Sequence, residues 1–87
     1  NLAVLVERIK KTFPWVNDAP TEIQDVVVDM CYQLGVNGFS KFKKTIYLLE
    51  TEQYEEASIE MLDSLWAKQT PNRAQELSQE VKAVASN

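Results

Sequence analysis

Carboxylates are the groups in this sequence that could carry acid–base chemistry, since its 87 residues include 13 Asp and Glu, one cysteine and no histidine. Six of these carboxylates lie between Glu50 and Asp63 with no basic residue among them, a run typical of a solvated helix face. A general acid needs a pKa that burial has raised, and the pattern predicts burial for none of the six. We therefore expect no catalytic residue in this chain.

Metal-binding and cofactor-binding motifs are also missing from the sequence. Asp25 and Asp29 are four residues apart and share one helix face, which we interpret as a polar surface rather than a catalytic or metal-binding pair. The chain has no calcium-loop, Cys-x-x-Cys or His-Glu-x-x-His pattern. We expect no metal and no cofactor, and we expect Cys31 to be a buried thiol because it falls on an apolar stripe.

The position of Arg73 is unusual for a cation. Thr70 and Pro71 are the residue types that precede and begin a helix, so Arg73 falls in a first turn. The helix N-terminus carries partial positive charge and disfavours a cation there. Two interpretations stay open, a solvated arginine that tolerates its position and an arginine with a role outside its own helix.

Charge and hydropathy exclude some classes of partner. A net charge of −4 with nine Lys and Arg argues against nucleic acid, which requires a basic surface. The cluster Lys41, Lys43 and Lys44 is too small to supply one. The sequence has no apolar run of the length that a membrane span needs and no signal-peptide pattern. We expect neither a nucleic-acid partner nor a membrane-spanning segment.

Apolar residues recur every three to four positions, which predicts an all-α fold, a compact bundle of about five short helices in one domain. The predicted helices end before Pro14, run from Pro20 to Gly35, from Gly38 to Leu49, and from Tyr54 through Trp66, and begin again at Pro71. No capping residue precedes the first helix, as if it were cut from a longer one. Trp66 is expected in the core, with its indole N–H donating to Gln33 or Gln69.

Four blocks of the sequence together resemble the lysozymes of T-even bacteriophages, glycoside hydrolase family 24. They are Asp29-Met30-Cys31-Tyr32-Gln33-Leu34-Gly35, Gly38-Phe39-Ser40-Lys41-Phe42, Tyr54-Glu55-Glu56-Ala57-Ser58 and the run from Ser64 to Ala74 that contains Trp66-Ala67-Lys68-Gln69-Thr70-Pro71-Asn72-Arg73. The resemblance covers essentially the whole chain and corresponds to the carboxy-terminal helical lobe. It implies that residues 1–13 are the second half of an interlobe helix and that residues 14–87 are the helical lobe of a single domain.

The resemblance also implies a function. That family hydrolyses the bond between N-acetylmuramic acid and N-acetylglucosamine in bacterial peptidoglycan, with its catalytic glutamate in an amino-terminal lobe that these 87 residues do not contain. The resemblance implies substrate binding by Tyr32, Gln33, Thr45 and Glu60, and implies that Arg73 orients the catalytic glutamate. Glu60 stands in place of an asparagine of the family, and Leu65 in place of an arginine.

The partners that the resemblance implies are peptidoglycan and the amino-terminal catalytic lobe, and this chain alone is predicted to be inactive. The implied location is that of a phage-encoded protein, made in the host cytoplasm and acting on the cell wall in the periplasm. The alternative is a stand-alone, non-catalytic module that binds cell-wall saccharide or a protein. A helix-turn-helix DNA binder is a weaker interpretation, suggested by the turn at Pro71. An apolar patch of Leu2, Leu5 and Tyr32 predicts self-association.

Overall fold

The computed structural model describes residues 2–86, and every regular element in that range is helical. In chain order the elements are α1 (Leu2–Thr12), a 3₁₀ helix (Pro14–Asp18), α2 (Thr21–Ser40), α3 (Lys43–Glu50), α4 (Tyr54–Leu62), α5 (Leu65–Gln69) and α6 (Pro71–Ser86). The predicted all-α bundle is confirmed. Six α-helices are described instead of about five, because the segment predicted as one helix from Tyr54 through Trp66 forms two helices.

Helix α2 forms the centre of the core. Its apolar stripe is fully buried along the segment predicted from the sequence, at Ile23, Val26, Val27, Met30 and Cys31. Burial in this stripe raises the pKa of the Cys31 thiol to about 11. The expectation of a buried thiol at Cys31 is confirmed.

Gly35 interrupts α2 where the sequence predicts the helix to end. Its φ of +79° and ψ of 160° are outside the helical region, and this combination is open essentially to glycine alone. The helix then resumes and continues to Ser40. Gly35 therefore redirects the last turn of α2 instead of ending the helix.

The helix predicted from Gly38 to Leu49 is divided in the structure between the end of α2 and the start of α3 at Lys43. The division lets two aromatic rings reach different neighbours. Phe39 lies in the core with its ring edge-on to Phe13, at a centroid distance of 5.5 Å. Phe42 packs edge-on to Trp66 at 6.3 Å. A local apolar period cannot distinguish this arrangement from one continuous helix.

The helix predicted from Tyr54 through Trp66 is also divided, into α4 and α5. Ser64 caps α5, because its Oγ accepts a hydrogen bond of 3.1 Å from the backbone N–H of Ala67. The new direction carries Trp66 into the core, where 5% of its surface is exposed. Ile59 and Leu62, which are apolar residues of the same segment, are exposed.

The remaining helices enclose α2. Helix α6 buries Ala74, Leu77 and Val81 and packs against α4, α2 and α5, with its largest interface on α4. Helix α1 packs against α2 and the 3₁₀ helix and buries Ile9. The expectation that α1 has no capping residue concerns Asn1, which lies outside the described residues. Within residues 2–86, no helix combines the length and the apolar character needed to cross a membrane.

Candidate functional site

Trp66 and Gln33 are joined by a hydrogen bond between two helices. The indole Nε1–H of Trp66 donates to Oε1 of Gln33 at 3.1 Å, across 33 positions of sequence. Of the two glutamines predicted as partners, the structure therefore selects Gln33. This bond ties the first turn of α5 to the exposed side of α2.

Asp29 connects Gln33 to Arg73. Nε2 of Gln33 donates to Oδ1 of Asp29 at 2.9 Å, and Nη2 of Arg73 donates to Oδ2 of the same carboxylate at 2.5 Å. Nη1 of Arg73 donates to Oε2 of Glu76 at 3.1 Å. These bonds form one continuous chain, which we call the Asp29 network, through Trp66, Gln33, Asp29, Arg73 and Glu76.

The network explains the cation in the first turn of α6. Arg73 is paired with a carboxylate of α2 and with a carboxylate of its own helix, so the cost of its position near the helix N-terminus is offset. Asp29 is the main cause of a raised pKa for the Arg73 guanidinium, and the hydrogen bond to Glu76 adds to it. Half of the arginine side chain is exposed, so the pair contributes more to orientation than to stability.

Asp29 is a residue of the candidate site that the sequence analysis missed. The sequence analysis assigned Asp25 and Asp29 to the same polar surface, but their environments differ in the structure. Asp29 is half-buried and makes two side-chain bonds, whereas Asp25 is exposed and has no part in the network. The spacing of four residues between Asp29 and Gln33 is a signal that could have indicated their contact.

Two of the predicted site residues, Tyr32 and Arg73, line one depression of about 370 Å³. We call it the Tyr32 hollow; its other lining residues are Leu2, Asp25, Val28 and Asp29. The Tyr32 ring is 73% exposed, so one aromatic face is open to a ligand. Leu2 is also exposed, but Leu5, the third member of the patch predicted to self-associate, is half-buried against the core.

Thr45 and Glu60 line a second depression of about 400 Å³, which Trp66 also borders. We call it the Trp66 groove. Thr45 is 3% exposed, so it contributes to the floor. Nζ of Lys44 lies 3.5 Å from Oε2 of Glu60, and this exposed ion pair closes one side. Leu34 and Phe42 supply apolar surface to the same groove.

The five predicted site residues are connected through two depressions and the Asp29 network. Trp66 borders the groove that contains Thr45 and Glu60, Gln33 is bonded to Trp66, and Asp29 connects Gln33 to the Tyr32 hollow. These residues include hydrogen-bond donors, hydrogen-bond acceptors and aromatic side chains.

The described part of the chain has no buried carboxylate and no metal-binding cluster. None of the carboxylates in residues 2–86 is buried. No cluster of three or more Cys, Asp or Glu side chains in that range could hold a metal ion. The candidate site on this all-helical chain consists of the Trp66 groove, the Tyr32 hollow and the Asp29 network.

Comparison with curated proteins assigns a relationship to this helical domain. The chain is 36% identical over 58 residues to "Probable T4-type lysozyme 2" of Dictyostelium discoideum. The aligned region covers 67% of this chain and 34% of that protein. It is 42% identical over 48 residues to "Probable T4-type lysozyme 1" of the same organism, covering 55% of this chain and 28% of that protein. The chain is lysozyme-related, and the resemblance to T4-type lysozymes is confirmed.

The similarity is partial in length. The chain spans about a third of the length of the curated relatives that it matches. No family model and no solved structure matches the chain.

Proposed function

We propose that this chain is the carboxy-terminal helical lobe of a lysozyme that hydrolyses the muramic acid to glucosamine bond of bacterial peptidoglycan. The lobe supplies one wall of the substrate cleft, and a catalytic glutamate is supplied by an amino-terminal lobe outside this sequence. The enzyme acts on the cell wall in the periplasm after synthesis in a host cytoplasm, as the resemblance to phage lysozymes implies. The isolated chain has no hydrolytic activity.

The observation that carries the proposal is the hydrogen-bond network between the two depressions. Trp66 borders the groove lined by Thr45 and Glu60 and donates to Gln33, and Asp29 connects Gln33 to the hollow lined by Tyr32 and Arg73, which supports one ligand in contact with both depressions. A glycan with attached peptides is an extended ligand with more than one contact region. The exposed ring of Tyr32 suits the apolar face of a sugar, and the Trp66 groove suits the peptide.

Arg73 retains the capacity to act on a carboxylate of another lobe. A guanidinium has five N–H donors, and the hydrogen bonds to Asp29 and Glu76 use two of them. The guanidinium is half exposed beside the Tyr32 hollow. It can therefore orient a catalytic glutamate that approaches from that side without first losing Asp29.

The test is a titration of the ¹⁵N-labelled chain with purified peptidoglycan fragments, followed by NMR. We expect signal changes at Tyr32, Gln33 and Thr45 and at the indole of Trp66. The exposed residues Ile59 and Leu62 lie on α4 outside both depressions and serve as controls. The absence of any change at millimolar fragment would contradict the proposal, and so would clearing of purified cell wall by the chain alone.

The alternative function is a stand-alone module that binds cell-wall saccharide or a protein without catalysis. The exposure of Tyr32 and Leu2 on one hollow favours it, because an aromatic and an aliphatic side chain together form a binding surface. The coding sequence upstream of Asn1 discriminates between the two functions. A glutamate followed by a Tyr- and Gly-rich hairpin region supports the lysozyme, and a start codon next to Asn1 supports the module.

A further inference from the structure

We propose that Asp29 is a positioning residue, which fixes the side-chain amide of Gln33 in one orientation and holds Arg73 beside it. Its importance for ligand binding rests on the proposed function, but the positioning itself is a property of the free chain. Asp29 contacts no ligand in this proposal. It acts through the two residues that do.

The orientation of the Gln33 amide is set from both ends. The indole N–H of Trp66 can only donate, so it requires the amide oxygen. The ionised carboxylate of Asp29 can only accept, so it requires the amide nitrogen. Rotation of the amide by half a turn would place N–H against N–H and oxygen against oxygen. Both neighbours therefore enforce the same orientation, although Gln33 itself is exposed.

The two oxygens of the Asp29 carboxylate accept hydrogen bonds from different residues. Oδ1 accepts from Gln33, and Oδ2 accepts from Nη2 of Arg73. Because Asp29 belongs to α2 and Arg73 to α6, the ion pair also fixes Arg73 relative to Gln33. An asparagine in the same position would turn its NH2 group toward one of the two donors, since a carboxamide has an oxygen on one side only.

The fixed amide presents a defined complement to one ligand chemistry. After its bonds to Trp66 and Asp29, Gln33 retains one N–H on Nε2 and one lone pair on Oε1. A secondary amide, such as an acetamido group on a sugar or a peptide bond, offers the matching acceptor and donor. A Gln33 that can rotate would lose part of this match.

The first experiment uses the free chain and compares Asp29→Ala with Asp25→Ala. Both variants remove one carboxylate from the same helix and the same hollow, but Asp25 makes none of the bonds of the network. We expect Asp29→Ala to reduce the order of the Gln33 side-chain amide in ¹⁵N relaxation. We also expect solvent exchange of the Trp66 indole proton to accelerate about three- to tenfold, the ratio that corresponds to one hydrogen bond.

Asp29→Asn is the second variant, because it keeps the shape of the side chain. In that shape its NH2 group faces one of the two donors in place of an oxygen, so the proposal requires a loss of order at Gln33 or at the Arg73 guanidinium. Unchanged signals at Gln33, Trp66 and Arg73 in either Asp29 variant would overturn the proposal. Equal changes in Asp25→Ala would overturn it as well, since they would indicate a general effect of charge.

The ligand experiment separates this proposal from the proposed function. Peptidoglycan fragments should bind Asp29→Ala about two- to tenfold more weakly than Asp25→Ala, as expected for the loss of one oriented hydrogen bond. If the unaltered chain binds no fragment, the proposed function fails while the spectra of the free chain still decide the role of Asp29. If both variants bind equally well, positioning by Asp29 is refuted and the proposed function stands.

Discussion

Arg73 and Asp29 lie 44 positions apart in the sequence, yet Nη2 of Arg73 donates to Oδ2 of Asp29 at 2.5 Å. This ion pair joins the first turn of α6 to the polar side of α2. It favours the second of the two interpretations of Arg73, in which the cation has a role outside its own helix.

Arg73→Gln should change the folding stability little. The variant loses an exposed ion pair, but it also removes a cation from the N-terminus of α6, and these effects oppose each other. We expect the thermal midpoint to stay within a few degrees of that of the unaltered chain. The control is Lys68→Gln, which replaces an exposed residue of α5. A large decrease would mean that Arg73 is structural, against the binding role assigned to it.

Gly35→Ala should destabilise the fold by about 1–3 kcal/mol, the range for a residue forced into a sparsely populated backbone region. A β-carbon at Gly35 would meet no atom within 4 Å, so the cost comes from the backbone at φ +79°. Urea unfolding measures the loss of free energy. Gly38→Ala is the matched control, because Gly38 is helical and its added methyl group meets only the Leu34 side chain, at 3.1 Å. Equal losses in the two variants would contradict the explanation from backbone conformation.

Glu52→Gly should stabilise the chain by up to about 1 kcal/mol. Glu52 has a φ of +61°, a conformation that costs an ordinary residue about 1–2 kcal/mol and costs glycine almost none. Part of the gain is lost because glycine has more freedom in the unfolded chain. Urea unfolding of Glu52→Gly and of Glu52→Gln tests this, since glutamine removes the charge and keeps the strain. A stabilisation by glutamine as large as that by glycine would exclude strain as the cause.

The same two variants should lower the pKa of Tyr54. Burial raises the pKa of this phenol first, and the negative charge of Glu52 raises it further. Both Glu52→Gly and Glu52→Gln remove that charge, so the pKa should fall in both variants while remaining above the ordinary value. NMR titration of the Tyr54 ring measures the shift, with Tyr32 and Tyr47 as internal references. An unchanged Tyr54 pKa would show that burial alone is responsible.

Stability should decrease between about pH 9 and pH 11. Burial raises the pKa of the Cys31 thiol from 9.0 to about 11, so the unfolded chain releases this proton at a lower pH than the folded chain. The unfolded state then binds fewer protons, and the free energy of unfolding falls as pH rises. Cys31→Ala should flatten the curve, although Tyr54 contributes above pH 10. The same slope with alanine at this position would exclude the thiol as the cause.

We expect self-association through the Tyr32 hollow, and it should weaken when the exposed apolar side chain of Leu2 is replaced. Leu2 is 58% exposed and lines the hollow with Tyr32. Leu2→Gln should therefore shift the sedimentation profile towards the monomer. Ile59→Gln is the control, since Ile59 is 64% exposed on α4 and lies outside the hollow. A monomer at high concentration for the unaltered chain would contradict this prediction.

Local patterns in the sequence predicted those features that depend on a single helix. The apolar stripe through Cys31 fixed the buried side of α2, and Gly35 marked the point where regular helix geometry is lost. Pro71 marked the first residue of α6. In each case one residue type or one spacing contains the information.

The features that the sequence did not predict depend on contacts between helices. The divisions before α3 and α5 accompany a ring contact between Phe42 and Trp66, which lie far apart in the sequence. The role of Asp29 exists only once α6 docks against α2. The resemblance indicated Gln33 and Arg73 but could not show that one carboxylate joins them.

The two bonds to Asp29 have a consequence for how ligands act on each other. A carboxylate that binds the free donors of Arg73 shares the guanidinium with Asp29, which leaves more of the negative charge of Asp29 to Gln33 and strengthens the bond that orients the amide beside Trp66. Occupancy of the Tyr32 hollow should therefore change affinity in the Trp66 groove. By thermodynamic reciprocity, a ligand in the groove must change the affinity of the hollow by the same factor.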